Sequence, residues 1–520
     1  MPAQSSEQAA ALVRSLQKGV VPTGFNFVDW TPELPLRDHQ LIALGFLMLT
    51  PRAFIFDATG TGKTASALGY LNLLEQKGII GDYPSKRAIV ITTAPNVRMT
   101  WEVDGFEKFV PKMRVANGKL TKQKRFELYN DPSWRVLVTN YESVRQDVGL
   151  LEQLDFSVAI FDEADVLKNA NAQTTEAIRR VTGSCDRRVA MTATPLTDKT
   201  LVGMYSLLEV MGIEKDFAGS KSAFENYYHE FEYEEIWLKQ WDQQRKKKVA
   251  KKRIVKKLKS LRNVNEFREQ LRPYYIRRTV KDLPNNIPET KVINKYLEPT
   301  KEQERLYKQA KKGFMQLDPS KPGNTAEIDR AWDHLRKICI NTGLVGGPDS
   351  SAKMDFLQDK LQTAWVEDKV VVFTNFLESA RLLGERLKKE KIGYVTIIGS
   401  TSEKKREEAI KRFREDPDVK VLIGTRTLVR GLNLQNARIQ VSLDLLFNPG
   451  EVAQIAGRIA RDGSLHDECL VVNLFIYGSL EHAMYKYVSS KQAVSDFVLG
   501  EKSNIFKSLT PKEQFAIIKS

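Results

Sequence analysis

Short, continuous apolar runs recur along this chain, each bounded by polar or glycine-bearing stretches. In the N-terminal half they are Ala53–Phe56, Ala88–Thr93, Val136–Tyr141, Val158–Asp162 and Val189–Thr192. In the C-terminal half they are Val370–Phe373, Tyr394–Ile398, Val419–Ile423, Ile439–Leu443 and Leu470–Leu474. Runs of this length without polar alternation predict parallel strands covered on both faces. Helix-like segments separate them, among them Leu41–Leu49 and Ala65–Leu74. That rhythm predicts one βαβ domain over about 31–215 and a second from about Ser351. Over 219–278, and again over 300–345, the pattern turns long, charged and helical. Residues 1–30 form a polar arm with one weakly amphipathic segment, Gln8–Lys18.

The run Ala53–Phe56 leads directly into Asp57-Ala58-Thr59-Gly60-Thr61-Gly62-Lys63-Thr64 and then a helix-like segment. Strand, glycine-bearing loop, Lys-Thr and helix is the layout of a phosphate-binding loop. Gly60 and Gly62 let the backbone curl so that its N–H groups face phosphate oxygens. The helix N-terminus adds a favourable field for the anion. Lys63 then belongs between the β- and γ-phosphates, and the Thr64 hydroxyl on Mg²⁺. Asp57 departs from the general pattern, which has glycine there; on the loop alone, a glycine-rich turn with an incidental lysine is the competing reading.

Further polar groups sit at the ends of apolar runs. Val158–Asp162 ends in Asp162-Glu163-Ala164-Asp165. A carboxylate ending a buried strand beside a phosphate loop suits a second Mg²⁺ contact, which is the role of Asp162. Glu163 is then placed to orient and deprotonate the attacking water. Thr192 and Thr194 end the next run, where hydroxyls can couple a nucleotide site to moving parts. Gln40, upstream of the loop, offers the paired donor and acceptor that read an adenine edge. In the second domain, Gln454 precedes Gly457-Arg458 and Arg461, and two arginines three apart share a helix face. Both can then reach a γ-phosphate as arginine fingers.

Composition narrows the class. At 520 residues the chain exceeds the roughly 250–300 at which one core stops growing, so two or more domains are expected. No run is long enough to span a membrane. Met1–Val20 lacks a signal-peptide core, and three scattered cysteines give neither a zinc nor a disulfide spacing. The expectation is an intracellular protein of the cytoplasm or nucleoid, with no membrane partner. A net charge of +15 favours an anionic partner such as nucleic acid. Much of it lies between Arg245 and Lys259, downstream of Glu230, Glu232, Glu234 and Glu235. Phosphate neutralisation and a solvated helix face paired with those glutamates both fit that run.

Taken together, these stretches resemble the superfamily-two helicases, most closely the Swi/Snf-like double-stranded DNA translocases. The likeness runs from about Leu36 to Phe475. It is carried by LRDHQLIAL, DATGTGKT, TTAPNVRMTWEVDGFEKF, VTNYESV, DEADVLKNANAQT and MTATPLTDK in the first half. LRPYYIRRTVKDLP, LEPTKEQERLYKQA, VVVFTNF and GLNLQNARIQVSLDLLFNPGEVAQIAGRIARDGS carry it in the second. The family keeps an aspartate where this chain has Asp57. Asp165, Ala193, Thr427-Leu428-Val429, Ala460 and Ser464 depart from it without removing a catalytic group.

The resemblance implies an α/β fold of two RecA-like parallel-sheet lobes with helical protrusions. The expected division is an arm at 1–30, lobe 1 at 31–218, a basic helical protrusion at 219–278, a linker at 279–299, a helical protrusion at 300–350, lobe 2 at 351–490 and a helical tail at 491–520. It implies a DNA-dependent ATPase, with ATP and Mg²⁺ as cofactors, that translocates on duplex DNA without sequence preference and remodels DNA or protein–DNA complexes, coupling hydrolysis to lobe closure. Thr59, Gly60, Thr61, Gly62, Lys63, Thr64, Gln40 and Gln454 would hold nucleotide; Lys63, Asp162, Glu163, Arg458 and Arg461 would carry catalysis. Thr93, Asn140, Lys168, Thr374 and Thr425 would touch the DNA backbone, and Thr192, Thr194 and Gly431 would couple the two activities. Size suggests a compact bacterial or phage-type monomer acting on duplex, forked or branched DNA. Rival readings are a strand-separating DNA or RNA helicase, a non-hydrolysing ATP-gated clamp, and the motor subunit of a nuclease whose cutting activity a partner supplies.

Overall fold

The computed structural model describes residues 6–19, 36–81, 86–169, 172–193, 195, 201–242, 247–278, 282, 288–315, 325–425, 434–444, 457–460 and 464–482. The chain divides into two compact units. Unit 1 comprises Met1–His229, Leu261–Ile287 and Arg430–Leu432; unit 2 comprises Glu230–Ser260, Pro288–Val429 and Asn433–Ser520.

Unit 1 opens with helix α1 (Ser6–Gln17) and continues with helix α2 (Asp38–Leu49). Strand β1 (Arg52–Ile55) follows, then helix α3 (Lys63–Gln76). The next strands are β2 (Arg87–Thr92), β3 (Val115–Asn117), β4 (Val136–Asn140), β5 (Phe156–Asp162) and β6 (Arg187–Met191). Every residue of β2, β4 and β5 is buried, which is why these strands read as unbroken apolar runs. Next along the chain comes a two-stranded sheet of β7 (His229–Asp242) and β8 (Lys247–Leu261), which falls almost wholly in unit 2, and unit 1 resumes with β9 (Tyr275–Ile276). The main sheet has the order β3-β4-β2-β5-β6-β1-β9 and is parallel throughout. All its strand C-termini therefore lie along one edge, where open α/β sheets bind ligands.

Two sequence-based expectations are corrected here. The basic stretch expected to be helical within 219–278 is helical only at its flanks, Lys221–Tyr228 and Val264–Leu271. Its centre is the β7–β8 pair. The charges suggested helix, but aromatic and β-branched residues such as Phe231, Tyr233, Trp237, Ile254 and Val255 favour strand and prevail. Acidic and basic arms do meet: Glu230 accepts from Lys259 Nζ at 2.8 Å and from Ser260 Oγ at 2.7 Å. The flanking helices are joined by aromatic packing, with Phe224 against Tyr228 at 4.7 Å and Tyr228 against Phe267 at 5.4 Å between ring centres. The chain then returns to the main sheet as β9, so lobe 1 extends beyond residue 218.

The second correction concerns 279–299, expected as a linker. Its latter part is strand β10 (Glu289–Leu297), paired residue for residue with a late strand of unit 2. Most of β10 is exposed at a sheet edge, so it lacks the apolar run that marks interior strands. The remaining strands are β11 (Val370–Phe373), β12 (Gly393–Ile397), β13 (Val419–Gly424), β14 (Ile439–Ser442) and β15 (Glu468–Ile476). Their order is β10-β15-β14-β11-β13-β12, again all parallel. Helices Lys301–Met315 and Thr325–Ile340 lie where a helical protrusion was expected. The tail at 491–520 lies outside the described residues. The fold is α/β with two parallel-sheet RecA-like lobes.

Candidate nucleotide site

The loop between β1 and α3 has the backbone that its glycines foretell. Gly60 and Gly62 adopt φ of 82° and 78°, a left-handed conformation costly for other residues. Gly62 has a second constraint: a Cβ there would lie 2.3 Å from the Gln40 side-chain nitrogen. Gly62 is also the N-cap of α3 and supplies no side-chain cap. A helix start leaves its first N–H groups without intrahelical acceptors, and these attract phosphate together with the helix dipole. Thr61 Oγ1 closes the loop internally on the Ala58 carbonyl at 3.0 Å. Lys63 Nζ donates to the carbonyls of Asp57 and Ala58 at 2.8 and 2.9 Å, so its ammonium lies across the loop.

Helix α2 braces this loop from the other side. His39 Nε2 donates to the Thr61 carbonyl at 2.9 Å, and Gln40 Oε1 accepts from the Arg37 N–H at 3.0 Å. Burial lowers the His39 pKa from its ordinary 6.5, partly offset by the bond to Thr61. The ring is therefore neutral at pH 7, with the proton on Nε2. The Gln40 side chain lies against the loop at Gly62.

At the C-terminal end of β5, Asp162 is buried and Glu163 leaves the strand in a left-handed turn, φ 52° and ψ 51°. A non-glycine residue held there carries strain, which persists where surrounding structure enforces it. Asp162 Oδ2 accepts from Thr92 Oγ1 at 2.8 Å and from Trp101 Nε1 at 2.9 Å. Tyr141 Oη donates to the Asp162 carbonyl at 2.8 Å. Both described donors to the carboxylate thus end on one oxygen. Carboxylate and hydroxyl oxygens are the ligands a hard cation prefers, so Asp162 and Thr64 fit Mg²⁺ by donor chemistry. Trp101 lies within a π-helical segment, Val97–Phe106, of the kind that recurs at functional sites. Sequence reasoning quoted Trp101 within a motif but gave it no role; the clue available was a large polar-edged aromatic between two strand ends.

Parallel strands also bring the other expected residues of unit 1 to the same edge. Thr93, Asn140 and Thr192 end or follow β2, β4 and β6, and Thr192 N–H donates to the Ile55 carbonyl at 3.1 Å. Thr93 is buried, and its hydroxyl makes no hydrogen bond among the described residues. Asn140 caps the following helix, accepting from the Ser143 N–H at 3.0 Å and donating to Ser143 Oγ at 2.9 Å. Lys168 ends a short 3₁₀ turn, its stem against Gly203, where a Cβ would approach to 3.1 Å.

In unit 2, Thr374 follows β11, with its N–H on the Gly424 carbonyl at 3.1 Å, and Thr425 follows β13. Arg458 is buried, and its carbonyl accepts from the Leu434 N–H at 3.1 Å. Thr194, Gly431, Gln454 and Arg461 lie outside the described residues. No helix among the described residues is long and apolar enough to cross a membrane.

The sequence profile of the SNF2-related domain matches residues 39–344, and that of the helicase conserved C-terminal domain matches 352–463. An uncharacterized ATP-dependent helicase of Mycoplasma genitalium is 23% identical, over 88% of this chain and 41% of its own. The ATP-dependent helicase BRM of Arabidopsis thaliana is 26% identical, over 83% of this chain and 20% of its own. The DNA repair and recombination protein RAD54B of Gallus gallus is 23% identical, over 86% and 51%. This chain spans about two fifths of the length of the first two curated relatives it matches. Among solved structures, the Sulfolobus solfataricus SWI2/SNF2 ATPase core in complex with dsDNA aligns over 92% of this chain and 96% of its own, at 20% identity and a TM-score of 0.41.

Proposed function

Because the chain belongs to the SNF2-related family, we propose that it is a DNA-dependent ATP hydrolase that translocates on double-stranded DNA. The observation that carries this reading is the open β1–α3 loop, with Gly60 and Gly62 at positive φ and Lys63 at the helix start. Lys63 shifts from the loop carbonyls to the β- and γ-phosphates when nucleotide enters. Thr64 and Asp162 hold Mg²⁺, which supplies charge neutralisation across the phosphates. Glu163, set in its strained turn, takes a proton from the attacking water. Gln40 reads adenine, Thr59 and Gln454 line the nucleotide, and Arg458 and Arg461 meet charge developing on the γ-phosphate. Lobe closure and opening then accompany each turnover, with Thr192, Thr194 and Gly431 as coupling residues.

Thr93, Asn140, Lys168, Thr374 and Thr425 are the backbone contacts, neutral groups and one cation without base-reading character. The lysines and arginines of β8 add sequence-independent affinity for DNA. Steady-state ATP hydrolysis with no nucleic acid, duplex DNA, single-stranded DNA or RNA tests the reading. Stimulation by duplex that falls with salt supports it. Stimulation confined to single strands or RNA would replace the translocase with a strand-separating helicase.

A further inference from the structure

Asp57 stands where a general phosphate loop has glycine, and its side chain is only about 2% exposed. A carboxylate so buried needs a partner, and its partner is 221 residues away. Arg278 Nε donates to Asp57 Oδ1 at 3.1 Å, Arg278 Nη2 pairs with Oδ2, and Arg278 Nη1 reaches the His39 carbonyl. The main chain of the same segment continues the contact. Phe56 N–H donates to the Ile276 carbonyl and Ala58 N–H to the Arg278 carbonyl, both at 2.9 Å, which prolongs the β1–β9 pairing past Ile55.

Several of the contacts that shape the loop therefore meet at one residue. Arg278 holds Asp57 by its side chain and Ala58 by its main chain, and the carbonyls of those two residues carry the Lys63 ammonium. It also holds His39, whose ring supports Thr61 and whose neighbour Gln40 abuts Gly62. We propose that Arg278 is a positioning residue of the nucleotide site, keeping the phosphate loop preformed through Asp57 and His39. The inference rests on the proposed role of that loop in binding ATP. A planar fork with three used donors is not replaced by a lysine, whose point charge can neutralise Asp57 without fixing its direction. An ordinary core ion pair needs only neutralisation.

That difference is measurable as affinity for a fluorescent ATP analogue, alongside melting temperature without nucleotide. Arg278→Lys, and the charge-free pair Asp57→Asn with Arg278→Gln, are compared with the wild type. Positioning predicts that folded variants bind nucleotide about tenfold more weakly, a shift of about 1.4 kcal/mol. A folded variant that binds as tightly as the wild type overturns the proposal. Hydrogen exchange on the unaltered chain gives a second test that needs no variant to fold. Nucleotide must raise protection of the backbone over 275–278 together with that over 57–64; protection confined to 57–64 overturns the proposal as well. Failure of the wild type to bind nucleotide at all instead removes the proposed function, and this inference with it.

Discussion

The two units contain the same junction built in opposite ways. In unit 1, β1 passes through a glycine-bearing loop into α3, and the helix start has no side-chain cap. In unit 2, β11 passes through Thr374-Asn375-Phe376 into the helix Leu377–Lys389, and a carboxylate of the chain occupies the turn. Asp444 Oδ2 accepts from the Asn375 N–H at 2.9 Å, and Oδ1 accepts from Asn375 Nδ2 at 2.9 Å. Burial pushes the Asp444 pKa up to about 6, against the pull of Arg336, the Asn375 N–H and Lys353. Neither helix start has a side-chain cap; what differs is the turn before it, which carries left-handed glycines in unit 1 and is tied to a buried carboxylate in unit 2. The second turn, Thr374-Asn375-Phe376, contains no glycine.

The units also use their central lysines differently. Lys63 rests on carbonyls at a half-buried loop. Lys353 is fully buried, donating to the Leu443 carbonyl at 2.7 Å and to Glu481 at 2.8 Å. Lys63→Ala is expected to lower ATP turnover by roughly 10²–10³-fold or more while leaving the melting temperature nearly unchanged, since it removes a donor to developing charge. Lys353→Ala is expected to do the reverse. Leaving Glu481 buried and unpaired costs about 3–5 kcal/mol, read by denaturant unfolding of unit 2. Replacing both partners, as Lys353→Met with Glu481→Leu, is expected to recover most of that loss. If Lys353→Ala lowers turnover of the folded protein as severely as Lys63→Ala, the contrast between the two lysines is wrong.

Smaller effects sharpen the picture around β5. Trp101→Phe keeps an aromatic ring against Phe106 but removes the N–H that Asp162 accepts, along with part of the buried ring volume, whose cost is read separately as a change in melting temperature. Loss of a hydrogen bond to a charged group is worth about 1.5–3 kcal/mol. It is expected to appear as a higher Mg²⁺ requirement for nucleotide binding, measured by calorimetric titration at several Mg²⁺ concentrations. An unchanged Mg²⁺ dependence would reduce Trp101 to packing. The smallest effect is the pH response of His39. Its folded pKa lies below 6.5, so its neutral form contributes fully to stability above pH 6.5, and that contribution is lost as pH falls through the folded value. The slope from this single group is at most about 1.4 kcal/mol per pH unit. His39→Gln should flatten it in melting curves between pH 7 and 5.

Much was legible in the chain itself because the governing physics is local. Interior parallel strands must be apolar on both faces, so β2, β4, β5, β11 and β14 announced themselves as runs. The glycine-bearing loop was legible because left-handed backbone and helix-start donors are demanded within eight consecutive residues. Two edge strands were not: β10 is mostly exposed and β9 is two residues long, so neither leaves a hydrophobic signature, whereas edge strand β12 did through its run Tyr394–Ile398. The β7–β8 pair misled because charge density is indifferent to backbone conformation, whereas its aromatic and β-branched residues are not.

The tertiary structure alone decided which polar groups support the site. Asp57 was visible as a departure, yet its meaning depends on Arg278, 221 residues along the chain. Asp162 was visible as a strand-ending carboxylate, but the donors that orient it come from β2 and from a π-helical turn 61 residues before it. Asp444 carries no sequence mark of the junction it fills, 69 residues after Asn375. Backbone conformation and burial periodicity are set by neighbours in sequence, and so the amino-acid order alone determined the interior strands, the glycine-bearing loop and the two-domain plan. The pairing of buried charges is set by neighbours in space, which only the folded sheets bring together.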